Sequence, residues 1–200
     1  MTLSDIFAGI SAFAQLGMTI VLGLGVWVAY RQLHVWREQD IKKKKADIAE
    51  ELLAVSLEVS ETLRGLRTPF DSIPEEEREN RSYIYQKRLE RFNQQAERFE
   101  TLRRLNIRAS AVLGNQLVED AVNVLFEVRH MTIVAIQMLH DRGEVYGDED
   151  DDTRKMYVEM RRDMYGIYSE TYDPLGMKQL GAVETLKKQL PPFVRYEDSS

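Results

Sequence analysis

The sequence predicts an all-α protein: one N-terminal transmembrane helix, residues 6–30, continuing into a cytoplasmic helical bundle of about four to five helices. Three observations lead there. Residues 6–30 carry no charged side chain and are followed closely by a basic cluster. Downstream, apolar residues recur in steps of three and four, the spacing of one helical face. No stretch alternates as a half-buried strand would, and Gly-rich hairpin turns are missing.

The 200 residues, 44% of them hydrophobic, suit one ordinary domain, and no long Pro, Gly or Ser tract separates a second. The expected division is a short extracytoplasmic N-terminus (1–5), the span (6–30), a basic juxtamembrane segment (31–45), the bundle (46–190) and a C-terminal tail (191–200). There is no cysteine, so no disulfide framework, thiolate metal site or Cys nucleophile is available, which suits a reducing cytoplasm. A net charge of -6 and a pI near 5.3 give no general reason to expect nucleic acid as a partner.

A helix needs about 20 apolar residues to cross roughly 30 Å of hydrocarbon, and residues 6–30 exceed that. A cleaved signal peptide would place its cations before the apolar stretch, whereas here Asp5 precedes it and the cations follow. Trp27, Tyr30 and Trp36 have the amphipathic rings of interfacial anchors. Arg31, Arg37, Lys42, Lys43, Lys44 and Lys45 then place the C-terminal 170 or so residues in the cytoplasm of a bacterial cell by the positive-inside rule. The same cations attract anionic lipid headgroups, by about 1 kcal/mol each near the surface.

Within the span, Ser11, Gln15, Thr19 and Gly23 recur every fourth position, with Ala8 and Ala12 beside them. Small and polar groups on one helical face favour another helix over lipid, so the span is expected to self-associate through this face, although it lacks a good GxxxG pair.

The helix is expected to run on, with Ile48, Leu52, Val55, Val59, Leu63 and Leu66 as its apolar stripe. Pro69 and Pro74 in RTPFDSIPEEE break it, and Ser72 with Glu75 matches a capping box that opens the next helix. That helix carries Tyr85, Leu89, Phe92, Ala96, Phe99 and Leu102 on one face and stops at Gly114, where Asn115 caps a fresh start. The third, about Gln116 to Asp141, is the most apolar, with Leu117, Ala121, Val124, Val128, Met131, Ala135 and Met138 in register, and belongs at the centre of the bundle. It is a poor second span, because Glu119, Asp120, Glu127, Arg129 and His130 would meet hydrocarbon. Gly143 ends it before the acidic loop EVYGDEDDD. A fourth helix carries Met156, Met160, Met164 and Ile167. Asp173 as N-cap and Pro174 at the first helical position open a fifth, with Leu180, Val183, Leu186 and Leu190, stopped by Pro191 and Pro192.

No motif names a reaction, and no catalytic residue, metal ligand or cofactor is assigned. His140-Asp141 is an HD dipeptide without the upstream His and downstream Asp of a helical phosphohydrolase. Glu127 to His130 reads E-x-x-H, but Gln137 stands three residues before His140, so the second unit of a di-iron site is absent. The E-x-x-E pairs at Glu76–Glu79 and Glu97–Glu100 read as solvated faces. GDEDDD lacks EF-hand spacing, and there is no P-loop or dinucleotide fingerprint. Met156, Met160 and Met164 would suit a partner helix if exposed, and core filling if not.

In layout, and most of all in RTPFDSIP and DPLGMKQLGAVETLKKQL, the chain resembles bacterial single-pass inner-membrane proteins with a helical cytoplasmic domain. The resemblance implies no catalytic residues. Some proteins of this layout act as anti-phage effectors in which a triggered membrane helix damages the envelope. The expected function is a membrane-anchored interaction module with three partners: the lipid bilayer, a second copy through the span, and an unidentified cytoplasmic protein. The alternatives are a membrane-perturbing effector restrained by its bundle and, behind it, a tethered metal-dependent hydrolase using His130, His140, Asp141 and the acidic loop.

Overall fold

The computed structural model describes residues 3–78, 80, 82–142 and 151–194, with side chains from residue 17 onward apart from 19, 20 and 142. Among the described residues the regular structure is helical throughout: α1 (Leu3–Leu66), a 3-10 turn (Glu75–Glu77), α2 (Tyr83–Gln94), α3 (Ala96–Leu113), α4 (Gln116–Arg142), α5 (Asp151–Met164), α6 (Pro174–Gln189) and α7 (Pro191–Val194). The chain divides into two compact units, Met1–Lys44 and Lys45–Ser200.

The first unit consists of the N-terminal part of α1, and its described side chains are exposed. In the second unit, the rest of α1 buries Ile48, Leu52, Val59, Leu63 and Leu66, with Val55 partly covered. Burying a side chain of this size contributes about 1.5–3 kcal/mol, which is why the stripe, rather than intrinsic propensity, holds the helix in place. Glu51–Arg108 (3.5 Å) and Glu58–Arg98 (3.4 Å) run in opposite chain order, so α3 lies antiparallel to α1.

The expected second helix is corrected in two places. Glu75 opens only the 3-10 turn, capped by Pro74 without a side-chain bond, and α2 begins at Tyr83. The helix then breaks at Gln95, whose N–H bonds the Phe92 carbonyl at 3.2 Å in a tightened turn. At the break Ala96 leaves the buried face, while Phe92, Phe99 and Leu102 on either side remain buried.

At Gly114 the backbone takes φ 61°, a left-handed conformation that glycine adopts without a Cβ clash, and its N–H bonds the Ser110 carbonyl. Asn115 Oδ1 then accepts from the N–H groups of Leu117 (3.1 Å) and Val118 (3.4 Å), the expected cap. Helix α4 packs against α2, α3, α5 and α6. Its buried face is Val118, Ala121, Val122, Leu125, Val128, Thr132, Ala135, Ile136 and Leu139. Leu117 and Met131, expected on that face, are exposed. Because α4 is apolar on more than one side, the spacing pointed to a face rotated from the one that the packing of four neighbours buries.

Ile167 lies beyond the end of α5 and is exposed, as is Leu180 on α6. Pro191 does not end the helical run; it starts the short α7, where the missing N–H costs nothing. The Gly143 stop and residues 144–150 of the acidic loop lie outside the described residues, while Asp151 and Asp152 form the first turn of α5.

Candidate functional site

Two regions of the chain stand apart from an ordinary helical core. The first is the N-terminal part of α1, where Met18, Val21, Leu22, Leu24, Val26, Val28, Leu33 and Val35 are all exposed, together with Trp27, Tyr30 and Trp36. Arg31, Arg37, Lys42, Lys43 and Lys44 are exposed, and Lys45 is half-buried. The Arg31 guanidinium stacks 5.7 Å from the Trp27 ring centroid, Tyr30 meets His34 edge-on at 5.9 Å, and Lys44 pairs with Asp40 at 2.6 Å. Of the small-residue face, the side chains of Ala8, Ser11, Ala12, Gln15 and Thr19 lie outside the described residues. Gly23 is exposed with open space where a Cβ would stand.

By length and composition, one helix among the described residues is apolar enough to cross a membrane, Gln116–Asp141. That is α4, whose apolar residues pack against four other helices. The side chains of most of the predicted span at 6–30 lie outside the described residues.

The second region is the junction of two loops at the C-terminal end of α1. Arg67, the residue after α1, is fully buried among carbonyls and one carboxylate. Its Nη2 donates to Asp173 Oδ1 (2.6 Å) and its Nε to the Asp163 carbonyl (3.2 Å). The Gly166 N–H in turn donates to the Arg67 carbonyl at 2.7 Å. Asp173 gathers more: its Oδ2 accepts from the Ile167 and Tyr168 N–H groups (both 2.9 Å) and its Oδ1 from Gly176 N–H (2.8 Å). Burial alone would raise this carboxyl, but Arg67 and the Tyr168 and Gly176 N–H groups outweigh it and hold the group below the usual carboxylate range. A Cβ on Gly176 would stand 2.1 Å from Asp173 Oδ2, so only glycine admits the carboxylate here. Tyr168 sits at φ 52°, and its hydroxyl lies 3.2 Å from Gln179 Oε1, whose amide donates to the Ser60 carbonyl at 2.7 Å.

A second arginine fixes the other loop. Arg88 of α2 is buried, with Nε on Asp71 Oδ2 (2.7 Å), Nη1 on the Leu66 carbonyl (3.1 Å) and Nη2 on the Thr68 carbonyl (2.6 Å). Its guanidinium lies 4.7 Å from the Tyr165 ring centroid, and Arg91 takes the other Asp71 oxygen at 3.0 Å. Both loops are thereby pinned by charge-assisted bonds, yet they hold Phe70, Ile73, Ile167 and Tyr172 in solvent. The RTPFD stretch reads in sequence as a helix break. The partners 96 and 106 residues away that make Arg67 a buried anchor leave no local signal.

Other candidates resolve simply. Met164 is 1% exposed, Met160 packs partly buried against the core and Met156 is half-buried, so the row meets the core most closely at its C-terminal end. His140 Nδ1 lies 3.0 Å from Asp141 Oδ1 and its Nε2 3.4 Å from the Gln86 amide nitrogen. His130 is exposed, and Glu127 pairs with Lys178 at 2.8 Å. Among the described residues no three His, Asp or Glu side chains converge on a common point. Burial pushes the Asp163 carboxyl and the Tyr168 phenol up, but each stands beside the Arg67–Asp173 pair, which explains its setting structurally.

Comparison with protein-family models, with curated proteins and with solved structures yields no match.

Proposed function

We propose that the protein is a membrane-anchored helical interaction module. In this reading residues 6–30 span the bacterial inner membrane once, with the N-terminus outside. Trp27, Tyr30, Trp36 and the cations from Arg31 to Lys45 sit at the cytoplasmic headgroups. The span associates with a second copy through Ala8, Ser11, Ala12, Gln15, Thr19 and Gly23, and a cytoplasmic bundle binds a protein partner. The observation that carries the reading is the run of exposed large apolar side chains from Met18 to Trp36. In water such a surface would aggregate; in a bilayer it is at its lowest free energy.

The chain has no cysteine, so single labels report cleanly. In proteoliposomes, a bimane on Val26→Cys is expected to be quenched by brominated phospholipid, and one on Val158→Cys is not. In intact bacteria an impermeant maleimide should reach Val158→Cys only after permeabilisation. An unquenched Val26 label, or a Val158 label that reacts in intact cells, would refute the anchor or its topology. Oxidative crosslinking through Ser11→Cys tests the self-association.

One observation favours the effector as a second reading: α1 is a single helix from Leu3 to Leu66, and the carbonyl of its last residue accepts from Arg88 Nη1. Dye entry on expression, lost with Gln15→Leu, is its expected signature.

A further inference from the structure

Helices α3 and α4 share a cluster in which two arginines lie over two phenylalanines. The Arg129 guanidinium on α4 stands 4.8 Å from the Phe99 ring centroid on α3, and the Arg103 guanidinium on α3 stands 5.3 Å from the Phe126 centroid on α4. The two rings meet at 6.5 Å, tilted by 55°, so each helix gives one ring and one cation to a single cluster. A ring beneath a guanidinium covers its face and orients its plane, while the N–H donors around the edge remain free for in-plane bonds. Phe99 is buried and Phe126 packs against the same core, which holds the platform in place.

The protein leaves these donors largely unused. Arg129 Nε is buried without a hydrogen-bond partner. Glu100 is the carboxylate that acts on Arg129, and its Oε1 lies 3.9 Å from Arg103 Nε, too far for a hydrogen bond. Glu127, two residues before Arg129, is engaged by Lys178 at 2.8 Å. Burial, and then the Arg103 charge, push the Arg129 guanidinium below its usual value against the opposing pull of Glu100. Two guanidinium groups facing one distant carboxylate leave positive charge unmatched, and solvent reaches the cluster because Arg103 is exposed and Arg129 half-buried. An anion held between the two would offset their repulsion. A monocarboxylate brings a single charge, and Glu100 already supplies one; a phosphate dianion brings about two charges and acceptor oxygens in several directions, so it can take an edge of each arginine.

We propose that Arg103 and Arg129, stacked on Phe126 and Phe99, bind a phosphate dianion, either free or as the terminal group of a phosphomonoester. The site lies wholly within the second unit and stands independently of the membrane anchor.

The test is arginine modification by phenylglyoxal on the full chain in detergent, read residue by residue by peptide mass spectrometry. The probe is inorganic phosphate at a pH where it is the dianion. Phosphate is expected to protect Arg103 saturably and to leave Arg104, its exposed neighbour hydrogen-bonded to Thr101 at 3.2 Å, reacting at its original rate. Acetate at equal ionic strength should protect neither. Arg129→Gln should raise the phosphate concentration that half-protects Arg103 by about tenfold or more, because a charge-assisted bond is lost. Arg108→Gln, at an arginine that faces Glu51 at 3.5 Å, should leave it unchanged. Arg129→Lys keeps the charge without the planar fork and should fall between parent and Arg129→Gln. The reciprocal variant, Arg103→Gln at an exposed position, should cost Arg129 its own protection, which keeps the test decisive should Arg129→Gln fail to fold. Equal protection of Arg103 and Arg104, equal protection by acetate, or protection unmoved in the glutamine variants would overturn the site. With the chain in phosphatidylcholine nanodiscs, protection of Arg103 by included phosphatidylinositol 4-phosphate would place the phosphomonoester on a lipid. Protection by phenyl phosphate alone would place it on a soluble ligand.

Discussion

Asp173 accepts four hydrogen bonds, and through them α6, the loop before it and the residue after α1 are tied to one carboxylate. Half of this was legible in the sequence: Asp-Pro at a helix start reads as an N-cap followed by N1 proline. The other half was not, because Arg67 is an arginine in a loop and its burial depends on chain 106 residues distant. Removing one member of a buried ion pair strands the other, so Asp173→Asn should lower stability by about 3–5 kcal/mol in urea titrations of the full chain in detergent. A double Arg67→Met, Asp173→Leu variant should lose less than the sum of the two singles. The sign of the pH effect follows from the depressed folded-state value. The stabilisation is complete above the unfolded carboxyl range, near pH 4, and is lost as pH falls through the lower folded value. The acid limb of the melting curve should therefore be shallower for Asp173→Asn than for the parent.

At the scale of elements, helices were easier to read than the faces they bury. The stripe on α1 from Ile48 to Leu66 matches its buried face because the opposite side, with Glu50, Glu51, Glu58 and Glu61, is unambiguously polar. Helix α4 offers no such contrast, so its expected face shared only Ala121, Val128 and Ala135 with the fully buried one. The difference is measurable. Leu125→Ala, at a fully buried position, should destabilise by about 2–5 kcal/mol, whereas Met131→Ala, at an exposed one, should stay within about 1 kcal/mol. The reverse order would mean that the helix packs on the face its spacing first suggested. The break at Gln95 was hidden for a related reason: Tyr85, Phe92 and Phe99 keep a seven-residue interval across it, so the heptad continues where the backbone does not.

For the whole molecule, the decisive contrast is between an apolar first unit with its described side chains exposed and a second unit with a dense core under a charged surface. A chain that carries both should remain in the membrane fraction through carbonate and high-salt washes and leave it only with detergent; release by either wash would contradict an integral anchor. The all-helical class, the helix stops at Gly114 and before Pro69, the Asp173 cap and the apolar opening segment were determined by the sequence alone. Each depends on interactions within a few residues: hydrogen bonds along the backbone, the φ that glycine permits, or the solvation of a continuous apolar run. The orientation of α4, the burial of Met164 and the clamped loops that present Phe70 were decided by tertiary structure. Their energies come from residues far apart in the chain, and a charged side chain reads as surface until the partner that buries it is in place.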